Sequence, residues 1–274
     1  MANWDKITSR GNVDDRRGQG NTAKYGGGIG ILGLGLVLLV NYMNGGSVID
    51  VLPEIQQQLQ VAPQQNITAS DFDGTDEYEV FSSTVLGSVN DMWANSFSKS
   101  NMEYLPPKLV LFRGGTPSAC GGAYAESGPH YCPRDKTIYL DETFFDELQE
   151  RFGAQGGDVA QAYVIAHEVA HHVQGTLNIL NPAPSNQSSI KIELQADCFA
   201  GLWANSIKDL GVFESGEIVE ALDAAAAVGD DRIQRSTTGR VNPESWTHGS
   251  SEQRVAAFTA GYENGTLESC SVFE

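Results

Sequence analysis

The chain has 274 residues, enough for one sizeable domain with additional segments. Its net charge of −18 at pH 7 argues against nucleic acid as a partner, because phosphate binding requires a basic surface. The charge is uneven, since residues 1–25 carry five basic side chains against three acidic ones although the whole chain is strongly acidic.

Residues 26–46 contain the uncharged block ILGLGLVLLV in a glycine-rich setting. A linker, a buried core helix or a signal peptide are alternatives, but the block is too apolar for a linker and no clear cleavage site follows it. The run is about as long as the shortest membrane spans, so we predict one transmembrane helix over residues 26–46. Because basic residues precede it, the positive-inside rule predicts a cytoplasmic segment at residues 1–25 and an extracytoplasmic or periplasmic domain anchored in the inner membrane.

The chain beyond the apolar run divides into a stalk and a folded domain. Residues 47–75, rich in Gln, Pro and Asp, are the predicted stalk. Residues 76–274 combine helical periodicity with short apolar runs, which predicts an α+β domain that is mainly helical with a small sheet. Predicted helices cover about residues 78–97, 141–153, 159–174, 188–209, 215–229 and 251–264, and predicted strands cover residues 108–112 and 137–140. Asp158 is the predicted N-cap of the helix at 159–174.

The four cysteines predict two disulfides. No pair has the C-x-x-C spacing of a structural zinc site, and an even number in an extracytoplasmic domain favours oxidation. Cys120 and Cys132 flank a loop-like segment and form the natural local pair, which leaves Cys198 to pair with Cys270. The alternative is four free, buried thiols.

The stretch VIAHEVAHHVQ contains the pattern H-E-x-x-H. On a helix, His167 and His171 lie one turn apart on the same face, where both imidazoles can reach one zinc ion. Glu168 lies to the side, where a carboxylate can act as a general base on a water molecule. The alternative is a pair of hydrogen-bonded histidines without a metal.

A second helix can complete the site. Catalytic zinc uses three protein ligands and leaves a position for water. The segment IELQADCFAGLWA supplies Glu193 as a candidate third ligand, and Asp197, one turn later, can accept the outer N–H of a ligand histidine. A salt-bridging pair on a solvated face is the alternative for these two carboxylates.

Other polar residues receive lesser roles. His172 points away from His171 and is interpreted as a packing or supporting residue. His248, in THGSSEQR, can steady the oxyanion of a peptidase intermediate if the C-terminal region folds over the site, and a capping or surface role is about equally plausible. Arg254 is interpreted as a structural residue bonded to a site carboxylate, and Tyr163 as a core residue that is also an oxyanion candidate.

With these motifs the chain resembles the family of "putative neutral zinc metallopeptidases", bacterial proteins with an N-terminal anchor and a zincin-like domain. The similarity extends over nearly the whole chain and is weakest in the stalk. It rests on the apolar span and on the segments NVDDRRG, LVLFRGGTPSACGGAYAESGPHYCPRDKTIYLD, AQAYVIAHEVAHHVQ, ELQADCFAGLWA, AAAAVGDDRIQ and THGSSEQR.

The arrangement of site residues is also similar to that of thermolysin-like gluzincins. That likeness implies that His167, His171 and Glu193 bind one zinc ion per chain, that Glu168 is the base, and that Asp197 orients a histidine. A further likeness, to membrane-associated zinc proteases, implies that a histidine at position 248 helps to polarise the scissile carbonyl.

The expected function is therefore that of a membrane-anchored zinc metalloendopeptidase acting on a protein or peptide substrate. An exposed strand such as residues 137–140 could pair with an extended substrate. The alternatives are a zinc-binding envelope scaffold with little or no peptidase activity, and an assembly factor whose stalk and membrane span matter more than the metal. Glu168 favours the enzyme, because a purely structural zinc needs no base. The sequence indicates no oligomeric state.

Overall fold

The computed structural model describes residues 1–18, 76–180, 185–214 and 216–273. The predicted transmembrane helix at residues 26–46 and the predicted stalk at residues 47–75 lie outside these ranges. Within them, no helix combines the length and the apolar character needed to cross a membrane.

The described residues contain seven α-helices and six β-strands, in agreement with a mainly helical α+β chain. The helices are α1 (Glu77–Lys99), α2 (Thr143–Phe152), α3 (Asp158–Thr176), α4 (Asn186–Ile207), α5 (Ile218–Ala227), α6 (Asp230–Thr238) and α7 (Ser251–Asn264). The strands are β1 (Val13–Asp15), β2 (Lys108–Leu111), β3 (Gly115–Ser118), β4 (Gly121–Tyr124), β5 (His130–Cys132) and β6 (Thr137–Leu140).

Four strands form one sheet in the order β1-β2-β6-β5, and β3 pairs with β4 in a separate hairpin. The pairs β1–β2 and β2–β6 are parallel, whereas β5 runs antiparallel to β6. The strand predicted at residues 137–140 is confirmed as β6. The prediction that it is exposed is wrong, because β6 lies between β2 and β5. All four of its residues are buried, as is typical of a strand that is covered on both faces. The edge strands of this sheet are β1 and β5, and β5 contacts the helix Asp158–Thr176.

The first residues of the chain belong to the same unit as the domain. Residues 1–17 and 74–274 group together, and β1 extends the sheet through parallel pairing of Val13 with Leu109 and of Asp15 with Leu111. This differs from the predicted division, in which residues 1–25 form a separate segment. The prediction missed β1 because a strand of three residues with two aspartates has no apolar alternation.

Helix α3 lies at the centre of the domain. It is covered by α1, α4 and α5 and contacts β5. Its buried residues lie on all sides of the helix, as expected of a helix enclosed by the core. The helix predicted at 159–174 is therefore confirmed. Asp158 is not its N-cap, however, because Gly157 holds that position and the Asp158 carboxylate instead accepts hydrogen bonds from the Ala2 N–H (2.8 Å) and the Trp4 indole (2.7 Å).

Helices α4 and α7 pack closely through two glycines. A Cβ atom on Gly201 would lie 2.0 Å from the carbonyl oxygen of Phe258, and one on Gly261 would lie 1.9 Å from the carbonyl oxygen of Cys198. Such distances leave no space for a side chain, so the two backbones are in direct contact at this point.

Both predicted disulfides are confirmed. Cys120–Cys132 connects the loop between β3 and β4 to the edge strand β5, and Cys198–Cys270 connects α4 to the 3₁₀-helix Leu267–Phe273. The local bridge holds the hairpin beside β5. The second bridge holds the C-terminal residues against a buried helix.

Candidate metal centre

Helix α3 carries the H-E-x-x-H pattern in its buried interior. His167 and Glu168 are buried, and His171 is nearly so. The Nε2 atoms of His167 and His171 are 3.1 Å apart, which is the consequence of their spacing of one helical turn on the same face. Apolar neighbours such as Val169 and Ala170 are fully buried, so the helix holds both rings in fixed positions.

Helix α4 brings Glu193 to the same point. Its Oε2 atom lies 3.2 Å from Nε2 of His167, and its Oε1 atom lies 3.5 Å from Nε2 of His171. The three residues form a group whose ligand atoms all lie within 4.8 Å of one another. The structure therefore brings together the three residues that the sequence nominated as ligands.

A carboxylate determines which nitrogen of His167 faces this group. Nδ1 of His167 lies 2.9 Å from Oδ1 of Asp197. The side chain of Asp197 is fully buried, and a carboxylate only accepts hydrogen bonds. Nδ1 therefore carries the proton, and Nε2 presents a lone pair to the group, in the arrangement predicted for Asp197.

The side-chain amide of Gln174 fixes the tautomer of His171 in the same way. The amide nitrogen of Gln174 donates to the carbonyl oxygen of Ile192 (2.8 Å) and to Oε1 of Gln195 (3.0 Å). Its own oxygen therefore accepts from Nδ1 of His171, at 2.8 Å. Sequence reasoning missed Gln174, although its position three residues after His171 on the same helix was a usable signal.

The donor set fits a zinc ion. When both rings are neutral, in the tautomers set by Asp197 and Gln174, two Nε2 lone pairs and one carboxylate converge, so a proton or a metal cation between them is needed to offset their repulsion. Zinc–ligand bonds of roughly 2.0–2.1 Å place the corners of a tetrahedron about 3.3 Å apart. The distances of 3.1 Å between the two Nε2 atoms and 3.2 Å from Nε2 of His167 to Oε2 of Glu193 are close to that spacing. The other oxygen of Glu193, Oε1, lies 3.5 Å from Nε2 of His171.

The carboxylates also control the charge on the imidazoles. Burial by itself lowers the pKa of His167, but Asp197 and Glu193 outweigh burial and raise this pKa to about 10. Glu193 similarly raises the pKa of His171. In return, the two histidines hold the pKa of Glu193 well below its usual range despite burial. The site therefore attracts positive charge, as a proton or as a metal ion.

Arg254 of α7 balances the charge of Asp197. Its Nε atom donates to Oδ2 of Asp197 (2.8 Å) and its Nη2 atom to Oδ1 (2.9 Å), a bidentate pair in which both side chains are buried. The hydroxyl of Tyr163 donates to Oδ1 at 2.6 Å. Burial raises the pKa of Asp197, but Arg254 and His167 lower it further, so that the net shift is downward. Tyr163 is thus a buried member of this network.

Glu168 differs from the other site carboxylates. Its Oε2 atom is buried and has no hydrogen-bond partner within the described part of the chain. Leaving a buried carboxylate oxygen unsatisfied costs free energy, which is typical of a functional group that bonds to a water molecule or substrate. Glu168 lines the same cavity as His167, His171 and Glu193.

His167, His171 and Glu193, together called the metal group, open into a cavity of about 530 Å³. His248 also lines this cavity. The backbone N–H groups of Thr247, His248 and Gly249 all donate to Oδ2 of Asp230, at 2.7 to 3.0 Å, which holds the loop before α7 in place. The structure thus brings His248 to the cavity. A larger cavity of about 640 Å³, bordered by Lys6, α1 and α4, contains none of the predicted site residues.

His172 is held away from the metal group. One ring nitrogen, Nε2, donates to the carbonyl oxygen of Leu105 (2.8 Å), and Nδ1 accepts from the hydroxyl of Tyr131 (3.1 Å). Burial lowers the pKa of His172, so the ring is neutral. Its role is to connect α3 with β5 and with the loop before β2.

Comparison with known proteins agrees with this geometry. The family described as "Putative neutral zinc metallopeptidase" matches residues 2–273. The protein YpfJ of Escherichia coli K12 is 40% identical over 287 aligned residues, which cover 98% of each chain. The protein Rv2575 of Mycobacterium tuberculosis H37Rv is 47% identical over 185 residues, or 62% of this chain and 63% of the relative. Both are described as uncharacterized, and no solved structure matches. On the match to nearly its whole length, this chain belongs to the family described as "Putative neutral zinc metallopeptidase".

Proposed function

We propose that the chain is a zinc-dependent metalloendopeptidase with a zincin-like domain. The observation that carries this proposal is the convergence of His167, His171 and Glu193, whose ligand atoms lie within 4.8 Å of one another. Beside them lies Glu168, a buried carboxylate with one oxygen that has no hydrogen-bond partner among the described residues. When bound there, zinc would act as a Lewis acid that polarises the scissile carbonyl and activates water.

Glu168 moves the proton in this proposal. Its unpaired oxygen takes a proton from the attacking water and then delivers it to the leaving amine, so the carboxylate is regenerated in each cycle. A structural zinc site is closed by four protein ligands and needs no base. Three ligands and an unpaired carboxylate therefore favour an enzyme over a zinc-binding scaffold.

His248 and Arg254 play different parts. A histidine that lines the cavity can donate a hydrogen bond to the oxygen that becomes negative when the peptide carbonyl is attacked. Arg254 does not need to touch the substrate, because it acts through Asp197, which keeps His167 in the correct tautomer.

The substrate that fits this site is an extended peptide segment. Strand β5 is an edge strand of the sheet and lines the cavity together with the loop before it, so a substrate can add to β5 by backbone hydrogen bonds. Apolar side chains line the cavity near the metal group and favour apolar residues next to the cleaved bond. They are Phe144, Val164, Leu180, Ile192 and Ile233.

The proposed location is outside the cytoplasm, at a membrane. Two disulfides among four cysteines are typical of an oxidising compartment. The uncharged run within residues 26–46 supplies the proposed membrane contact.

The test is a comparison of Glu168→Gln with wild type as full-length proteins. We expect both to hold about one zinc per chain by metal analysis, and we expect the variant to lose at least 100-fold in cleavage of an unfolded protein substrate. The exposed Glu150→Gln in α2 serves as the matched control and should keep full activity. If Glu168→Gln cleaves the substrate as fast as wild type, Glu168 is not the general base. Zinc-loaded wild type without cleavage of any substrate would favour the scaffold.

A further inference from the structure

The first 17 residues are built into the sheet of the domain. Besides the pairing of β1 with β2, the N–H of Leu109 donates to the carbonyl oxygen of Asn12 (3.0 Å), and the N–H of Arg16 donates to that of Leu111 (2.8 Å). These bonds continue the parallel ladder on both sides of β1. The strand is therefore an integral part of the sheet.

The start of the chain is equally well anchored. The indole of Trp4 stacks parallel to Trp203 at a centroid distance of 6.5 Å and packs edge-on against Phe81 and Phe213. Its N–H donates to Asp158, the first residue of the helix that carries the metal group. The N-terminal segment thus contacts the core at several separate places.

The two ends of the segment between residues 18 and 75 are fastened to each other. Nη2 of Arg17 lies 2.8 Å from Oδ2 of Asp76, and the guanidinium also pairs with Asp15 and Glu142. The side chain of Arg17 is only 1% exposed. The residues on either side of positions 18–75, Arg17 and Asp76, are therefore joined by an ion pair.

We propose that residues 1–17 lie on the same side of the membrane as the metal group, and that residues 26–46 do not carry the N-terminus to the opposite side. A strand cannot form backbone hydrogen bonds with a sheet on the other side of a bilayer, because unpaired backbone groups are not tolerated in the hydrocarbon core. The chain between Arg17 and Asp76 must then cross the membrane an even number of times or not at all. This replaces the single-pass topology that the positive-inside rule predicts.

Labelling of single introduced cysteines tests this topology in cells that express the full chain. All four native cysteines are in disulfides, so Thr8→Cys and Thr237→Cys, both at exposed positions, each add one free thiol. With a membrane-impermeant maleimide, we expect the two thiols to be labelled together or protected together. Labelling of one and protection of the other would overturn the proposal. If both thiols are protected in cells whose periplasm is accessible to the reagent, this topology still holds. That result would contradict the extracytoplasmic location proposed above.

A second measurement uses neighbouring arginines in the purified full chain. Arg17→Met removes the buried guanidinium shared by three partly exposed carboxylates and should lower Tm by about 10 °C. Arg16→Met, a matched control at a more exposed ion pair with Asp14, should lower Tm by no more than about 3 °C. An unchanged Tm for Arg17→Met would show that residues 1–17 are not part of the domain and would overturn the proposal.

Discussion

Residues in and around the metal group form pairs of opposite charge. His167 contacts Asp197 on one side and Glu193 on the other, and Arg254 in turn neutralises Asp197. Each charge is buried, so its cost is tolerable only because its partner is in place. Removing one member therefore affects both the metal and the fold.

Asp197→Asn tests this coupling. The substitution removes the bidentate partner of the buried Arg254, which then keeps only the longer ion pair of 3.9 Å with Oε2 of Glu193 among the described residues. It also weakens the hold on His167. We expect zinc affinity to fall about 10- to 100-fold, and the free energy of unfolding of the metal-free chain to fall by about 3–5 kcal/mol. Competition with a zinc chelator and urea unfolding measure the two effects.

The controls for this prediction separate charge from hydrogen bonding. Gln174→Met removes the acceptor of His171 without stranding a charge, and should weaken zinc binding with a smaller loss of stability. The exposed Asp146→Asn should change neither quantity. Wild-type zinc affinity in a folded Asp197→Asn protein would contradict the assigned role.

The raised pKa of His167 predicts a pH dependence of zinc binding. With a pKa of about 10 in the metal-free site, the ring is protonated at neutral pH and must lose a proton before Nε2 can bind a metal. A rise in pH favours that loss, so the apparent zinc affinity should increase about tenfold per pH unit between roughly pH 6 and 9 for each proton released. Zinc titration at several pH values measures the slope. A flat profile would mean that His167 is already neutral.

At the scale of elements, the contact between α4 and α7 sets the position of Arg254 relative to Asp197. The glycines at the crossing bring the backbones into contact, and both charged residues lie near that crossing on the two helices. Any side chain placed there must push α7 away from α4, and Arg254 with it.

Gly261→Ala should therefore be strongly destabilising. A methyl group 1.9 Å from a carbonyl oxygen forces the helices apart, and we expect a loss of about 3 kcal/mol or more in the free energy of unfolding. The same substitution in α3, Gly175→Ala, meets side-chain atoms of Leu180 at 3.4 Å and of Tyr131 at 3.6 and 3.7 Å, which are ordinary contacts. It should be neutral or stabilise by up to about 1 kcal/mol through helix propensity. Urea unfolding compares the two; equal effects would show that the crossing is more open than described.

The long helices could be predicted from sequence because their signals are local. Apolar periodicity and caps predicted α1, α3, α4 and α7 closely. In contrast, β1, the β3–β4 hairpin and β5 have three or four residues each and little alternation, so nothing local distinguishes them from loops. Helix α6 was also missed, since its polar sequence is stabilised mainly by its neighbours.

In the candidate site, too, the local features could be predicted and the long-range contacts could not. H-E-x-x-H and the Glu193–Asp197 pair are helical spacings that a sequence displays directly. The bonds of Asp158 to Ala2 and Trp4 join residues more than 150 positions apart, and such pairings depend on the complete tertiary structure. The sequence indicated that Arg254 bonds to a carboxylate of the site. Only the tertiary structure shows that this carboxylate is Asp197.

At the scale of the whole molecule, the N-terminal residues complete the core. Trp4 covers Trp203 and bonds to Asp158 at the start of α3, the helix that carries two of the candidate metal ligands. We expect Trp4→Ala to lower the free energy of unfolding of the full chain by about 3 kcal/mol. Trp4→Phe keeps the aromatic packing and loses the hydrogen bond to a carboxylate, so about 1–2 kcal/mol should be lost. Chemical denaturation measures both, and wild-type stability of Trp4→Ala would show that the segment is not docked.

The dependence of Asp197 on Arg254 also sets the order in which the metal group becomes complete. The arginine lies 57 residues after the aspartate, and Cys270, which follows it, must still find Cys198. A chain emerging from the ribosome therefore has both histidines and Glu193 well before it has the last helix that keeps them aligned. We expect the nascent chain to bind zinc only weakly until synthesis and oxidation are nearly complete.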